Sequence, residues 1–166
     1  MRKIILLIFF IMATAIDLSA QEIKAVKATD IEKLIAESTT PLILNLWATW
    51  CKPCVEEIPY FQSEAAKYKS DSLQLVLISV DYKEDFPAAI EKAIRKIKIR
   101  VPVYWLDETN ADYFCPLIDS SWSGAITDTL FLHKKNGYRK FVEAKLSDRT
   151  LQDILKEMFR SPSRNK

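Results

Sequence analysis

A buried-strand signal runs straight into a pair of cysteines. Leu42 to Trp47 reads LILNLW, apolar except for Asn45, and is followed by Ala48, Thr49, Trp50 and then Cys51-Lys52-Pro53-Cys54. A short apolar run bounded by a breaker, here Pro41, reads as a strand buried on both faces. From Cys51 the period changes. Val55, Ile58, Phe61 and Ala65 recur at helical spacing, which predicts a helix from Cys51 to about Lys69. Pro59 lies inside it and is expected to kink it, because it removes a backbone N–H and crowds the preceding turn. Cys51 is thereby placed at a helix N-terminus, with Cys54 one turn in.

The rest of the chain alternates in the same way, which argues for an α/β sheet. Glu22 to Lys27 reads as a short edge strand. Thr29 or Asp30 is expected to cap a helix through Glu37 with Ile31, Leu34 and Ile35 on one face. Ser72 to Val80 is a second buried strand, Phe86 to Ile97 an amphipathic helix and Val101 to Leu106 a strand. Asn110 to Ile118 reads as a loop or short helix. Thr129 to His133 and Arg139 to Lys145 are expected to pair across a turn at Asn136–Gly137. Ser147 to Phe159 predicts a final helix with Leu151, Ile154, Leu155 and Met158 inward, and residues 161–166 a frayed tail.

Residues 1–20 are set aside as a signal peptide. Arg2 and Lys3 precede an apolar run from Ile4 to Ile16, and cleavage is expected after Ala20. An uncleaved anchor is the competing reading, but the run is shorter than the ~20 apolar residues of a comfortable span. Removing 20 of 166 residues leaves 146, one domain over residues 21–160 by length, with 22 basic and 21 acidic residues. That balance gives no electrostatic reason to expect a nucleic acid or an anionic membrane surface as partner.

Export points to an oxidising compartment, where disulfides persist. With three cysteines, one thiol stays unpaired within the chain. Structural zinc needs four ligands, and one Cys-x-x-Cys, the distant Cys115 and the lone His133 do not supply them in a usual pattern. His133 is expected to be an ordinary surface residue. A structural staple is a poor reading too, since so small a loop removes little unfolded-state entropy. Redox chemistry has a mechanism. Free N–H groups and the helix dipole stabilise a thiolate at Cys51, Lys52 adds a positive charge, and Pro53 stiffens the turn. Cys51 can then attack a disulfide and Cys54 can resolve the product. Glu57, three residues after Cys54, could accept the Cys54 proton if buried, or could be a surface charge like Glu56; spacing alone does not decide. Neither metal nor cofactor is expected.

The stretch LNLWATWCKPCVEEIPYF, Leu44 to Phe61, resembles the thioredoxin superfamily, and within it the exported TlpA/ResA-like thiol–disulfide oxidoreductases. Asn45 stands where classical thioredoxins carry a buried Asp. Glu57 falls on the helix glutamate linked in that branch to proton handling, and Pro59 on its kinking proline. The resemblance spans roughly Glu22 to Phe159 and implies a thioredoxin fold, a central mixed β-sheet flanked by helices. It implies a monomer that reduces disulfides of exported proteins in the periplasm or an equivalent exported compartment. A membrane-bound thiol donor would supply the electrons. Trp50, Lys52, Pro53, Ile126 and Thr127 would border the substrate.

A second stretch, SSWSGAITDTLFLHKKNG, resembles the family segment WSGAxPxT but departs from it. Thr127, or Asp128 if the alignment slips by one, holds the place of a proline that in the family follows a cis bond in a loop facing the cysteines. A cis bond before a non-proline residue costs about 2.5–4 kcal/mol, so Ile126–Thr127 is expected to be trans. A thioredoxin-like binding module without turnover is therefore the alternative. A peroxidase is not, because the Pro-x-x-x-Thr/Ser-x-x-Cys pattern would need Pro and Thr/Ser where Leu44 and Ala48 stand. Cys115, in DYFCPLI, reads as a small buried hydrophobe. Trp105, Trp122, Tyr104 and Phe114 read as packing residues.

Overall fold

The structure, a computed structural model, describes residues 23–160. The expected signal peptide and C-terminal tail lie outside the described residues. In chain order the elements are β1 (Lys24–Val26), α1 (Ala28–Glu37), β2 (Leu42–Trp47), α2 (Lys52–Lys67) and β3 (Gln74–Ser79). Then come α3 (Ala88–Ile97), β4 (Val103–Leu106), α4 (Ala111–Ile118), β5 (Asp128–His133), β6 (Tyr138–Glu143) and α5 (Asp148–Phe159).

The six strands form one sheet in the order β1-β4-β3-β2-β5-β6. β1, β4, β3 and β2 run parallel; β5 is antiparallel to β2, and β6 to β5. β2 is central, and all six of its residues are buried, which is why it reads as a nearly unbroken apolar run. Alternate side chains go to opposite faces. Ile43 and Trp47 join a core with Ile58 and Phe61 of α2, Ile90 of α3 and Leu151 and Leu155 of α5. Leu42, Leu44 and Leu46 join a second core with Ile31 and Ile35 of α1 and Cys115 and Ile118 of α4. The sheet is thus covered by α2, α3 and α5 on one face and by α1 and α4 on the other. Each such fully buried aliphatic or Phe side chain contributes about 1.5–3 kcal/mol over leaving it in water.

Several local expectations shift. α1 is capped at Lys27, and Asp30 sits at its third position, where its carboxylate accepts from the Lys27 N–H at 2.8 Å. α3 begins at Ala88 rather than Phe86, because the residue before a proline is pushed out of helical geometry and Pro87 follows Phe86. The segment Asn110 to Ile118 is a helix from Ala111. β5 and β6 do pair, but the link is a 3-10 turn, Lys134–Asn136, closed by Gly137 at φ +66°. His133 is not on the surface: it is buried against Phe159, with Nδ1 3.1 Å from the Met158 carbonyl oxygen.

Candidate active site

The end of β2 and the start of α2 build the site. The Cys51 N–H donates to the Ala48 carbonyl at 3.1 Å, closing a turn that delivers Cys51 to the N-cap of α2. Its Sγ accepts from the Cys54 N–H at 3.4 Å. Pro53 sits in the first helical turn, where a missing N–H removes no helical hydrogen bond. Cys51 and Cys54 are joined as a disulfide with their Cα atoms 5.3 Å apart. Cys51 is 6% exposed and Cys54 0%, so an incoming sulfur meets Cys51 first. Lys52 points into solvent 3.9 Å from Glu56, so that carboxylate shares its charge.

Burial separates the two adjacent glutamates of α2. Glu56 is on the surface, where the Lys145 ammonium at 2.6 Å holds its carboxyl below the usual range. Glu57 is 1% exposed. Its Oε1 accepts from Asn45 Nδ2 at 3.0 Å and its Oε2 from the Leu146 N–H at 3.2 Å. Loss of water raises its pKa, and those two hydrogen bonds oppose the rise. Asn45 belongs to the face of β2 that looks at α2, and it also donates to Thr129 Oγ1 at 3.0 Å. The Tyr60 hydroxyl donates to the Leu146 carbonyl, and burial together with the Glu57 charge pushes it up to about 12.

Trp50 is 52% exposed and stacks on Tyr82, with ring centroids 5.8 Å apart. Both line a cleft of 630 Å³ that also takes in Trp105, Phe114, Gly124 and Ile126. Thr127 is buried and is not part of that lining. Among the described residues the cis peptide bond joins Phe86 to Pro87, so Ile126–Thr127 is trans, as its cost requires. Ile126 packs against both cores, the one that includes Cys51 and Cys54 and the one under α1 and α4.

Two further carboxylates stand out, of which the sequence marks only Asp128, as the neighbour of Thr127 that takes the proline position if the alignment slips by one. Asp81, just past β3, accepts from the Thr49 N–H at 2.9 Å, Thr49 Oγ1 at 2.5 Å and Ser79 Oγ at 2.7 Å. It ties down the residues that lead into Cys51. Asp128 opens β5 fully buried, with no hydrogen-bond partner on either oxygen. The signal for Asp81 is an acid directly after a buried strand; for Asp128 it is the alternative alignment with the family's proline position, which says nothing of its burial. Among the described residues no group of three or more His, Cys, Asp or Glu side chains is placed to hold a metal, and no helix is long and apolar enough to cross a membrane.

Residues 11–113 match the model of the AhpC/TSA family. The chain is 28% identical over 113 residues to a thiol-disulfide oxidoreductase ResA of Bacillus cereus, covering 68% of this chain and 58% of that protein. It is 32% identical over 80 residues to the sporulation thiol-disulfide oxidoreductase A of Bacillus subtilis, covering 48% of this chain and 47% of that one. The matches thus span less than two thirds of either relative's length. Among solved structures it resembles a thioredoxin-related protein from Neisseria meningitidis serogroup B, with a TM-score of 0.60 and 25% identity over 73% of this chain and 86% of the other. StoA from Bacillus subtilis is similar at a TM-score of 0.54 and 26% identity, over 72% and 84% of the two chains. The fold is the thioredoxin fold.

Proposed function

The chain belongs to the AhpC/TSA family, and from that premise we propose that it is a thiol–disulfide oxidoreductase that reduces disulfides in exported proteins. One observation carries this reading: a Cys51–Cys54 disulfide at the N-terminus of α2, backed by a buried Glu57. Relatives named as thiol-disulfide oxidoreductases support it.

In the reduced state, the N-terminal dipole of α2 stabilises a Cys51 thiolate. That thiolate attacks one sulfur of a substrate disulfide. A Cys51–substrate bond forms, and the other substrate sulfur leaves as a thiolate and takes up a proton. Cys54 then gives its proton to Glu57, whose burial raises its proton affinity, and attacks the Cys51 sulfur. The second substrate thiol departs. The substrate has gained two electrons, and the Cys51–Cys54 disulfide described above is the oxidised product. A membrane-bound thiol donor returns it to the dithiol.

The substrate segment lies over Trp50 and Pro53 and runs into the cleft past Ile126, with Lys52 at its rim and Thr127 supporting the loop from beneath. The protein acts outside the cytoplasm after removal of residues 1–20, as a monomer. Insulin reduction with dithiothreitol tests the reading. Turnover that is lost in Cys51→Ala is expected; a wild-type rate no better than the variant's would refute the enzyme and leave a binding module.

A further inference from the structure

Asp128 is the first residue of β5, and the loop Ser123 to Thr127 ends on it. It is fully buried, and both carboxylate oxygens lack a hydrogen-bond partner. The indole N–H of Trp122, the donor that acts on it, is already given to the Ala125 carbonyl at 2.7 Å. Across the sheet Asp128 faces Leu46 of β2 on one side and Glu143 of β6 on the other. Glu143 holds the other end of the same loop, accepting from the Ser123 N–H at 3.2 Å and from the Ser123 hydroxyl. Glu143 therefore holds the Ser123 end of the loop, while its other end runs into Asp128 and the buried start of β5.

The charges acting on Asp128 are those of Glu143 and of Glu57 from α2, both negative; the Cys115 thiol from α4 is a third titratable neighbour, itself pushed up to about 11 by burial and by Asp128. A buried carboxylate without partners is costly when ionised and tolerable when protonated. The ionised acid is also repelled by the Glu143 charge, whereas the protonated one is not.

We infer that Asp128 is a positioning residue for the disulfide site: its proton keeps the Ser123–Thr127 loop seated beside Cys51 and Cys54, and loss of that proton lets the loop withdraw and opens the sulfurs to a thiol. The inference rests on the reading of Cys51–Cys54 as the reactive pair. Burial first, and the Glu143 charge second, place the Asp128 proton loss at about 7, within the working range of an exported protein.

The test uses the oxidised protein, in which neither active-site cysteine titrates. Reduction by dithiothreitol proceeds by thiolate attack on the protein disulfide, forms cyclic oxidised dithiothreitol and leaves two protein thiols, which are alkylated and counted by mass. Dividing the wild-type rate constant by that of Asp128→Asn at each pH cancels the reductant's own ionisation. The ratio is expected to rise several-fold in one step centred near pH 7, the value burial sets for Asp128. Glu143→Gln, in an otherwise unchanged chain, should move the wild-type step to lower pH, and this arm stands even if Asp128→Asn does not fold. A flat or falling ratio overturns the inference, as does a step that Glu143→Gln leaves in place. Insulin turnover is measured alongside. Turnover with a flat ratio removes the positioning role alone; a step without turnover supports it while removing the oxidoreductase.

Discussion

Asn45 and Glu57 share a hydrogen bond of 3.0 Å between the central strand and the first turns of α2, entirely out of water. The amide stabilises the ionised carboxylate, while burial favours the neutral acid. Glu57 is thereby held with raised proton affinity, one turn of α2 beyond Cys54, the thiol whose proton the proposed mechanism assigns to it.

Glu57→Gln keeps the size of the side chain and its bond to Asn45 but cannot accept a proton. General-base contributions are typically 10²–10⁴-fold, so resolution by Cys54 is expected to slow by about 10²-fold at neutral pH. Alkylation of the reduced Cys51 should change far less. Rapid-quench trapping of the mixed disulfide checks this, and a variant that resolves at the wild-type rate removes Glu57 from the reaction. Stability gives a second reading. The folded-state pKa of Glu57 is raised, so its contribution is most favourable below the unfolded value and is lost as pH rises through the folded one. The variant should lose that part of the decline.

Asp81→Ala leaves the Thr49 N–H and two hydroxyls, those of Thr49 and Ser79, without their acceptor. Buried donors stripped of a partner cost about 1–3 kcal/mol each, but they relax together, so a loss of about 2–4 kcal/mol is expected. Urea unfolding should show a lower midpoint at unchanged slope. The insulin rate should fall too, since Thr49 leads directly into Trp50 and Cys51.

Gly124 has φ +90°, and a Cβ built there would sit 3.8 Å from both Ala111 Cβ and Cys115 Sγ. There is room for the methyl group but not for the backbone strain it brings. Gly124→Ala should therefore destabilise by about 1–2 kcal/mol through the left-handed conformation. Shrinking Cys115 to Ala should not relieve it. The double-mutant cycle is expected to be additive within about 0.5 kcal/mol; a larger favourable coupling would mean the methyl group does clash.

Much of this was legible from periodicity. The run LILNLW reads as a buried strand, and the change to helical spacing after Cys51 locates the cysteine pair at a helix N-terminus. Contacts between distant segments were not legible. Glu56 and Glu57 are neighbours of one type, and what separates them is Lys145 on one and Asn45 with Leu146 on the other, reached only after folding. His133 ends a strand and looked like a surface residue because the Phe159 ring that covers it arrives from α5. The expected cap at Thr29 or Asp30 does not form because Asp30 stands at the third helical position and reaches back to the Lys27 N–H. The sequence marks Asp128 only as an alternative occupant of the proline position; its isolation is a property of what surrounds it.

That isolation makes the stability of the protein depend on pH. Asp128 has an ordinary carboxyl value of 3.8 when exposed and about 7 in the fold, raised first by burial and then by Glu143. The folded state therefore holds a proton that the unfolded chain has lost. The contribution is intact below about pH 4, declines as pH rises between the two values and is fully lost above about 7. A three-unit shift would amount to about 4 kcal/mol, and relaxation of the ionised form toward water brings the expected decline to about 2 kcal/mol. Asp128→Asn carries no charge at any of these values. Its buried amide adds a cost that does not vary with pH, so the variant should be the weaker protein at pH 5 and should close on or overtake wild type at pH 8. Urea midpoints at the two pH values measure this. Parallel losses at both would mean that Asp128 is already ionised in the fold, with a counter-charge drawn in beside it.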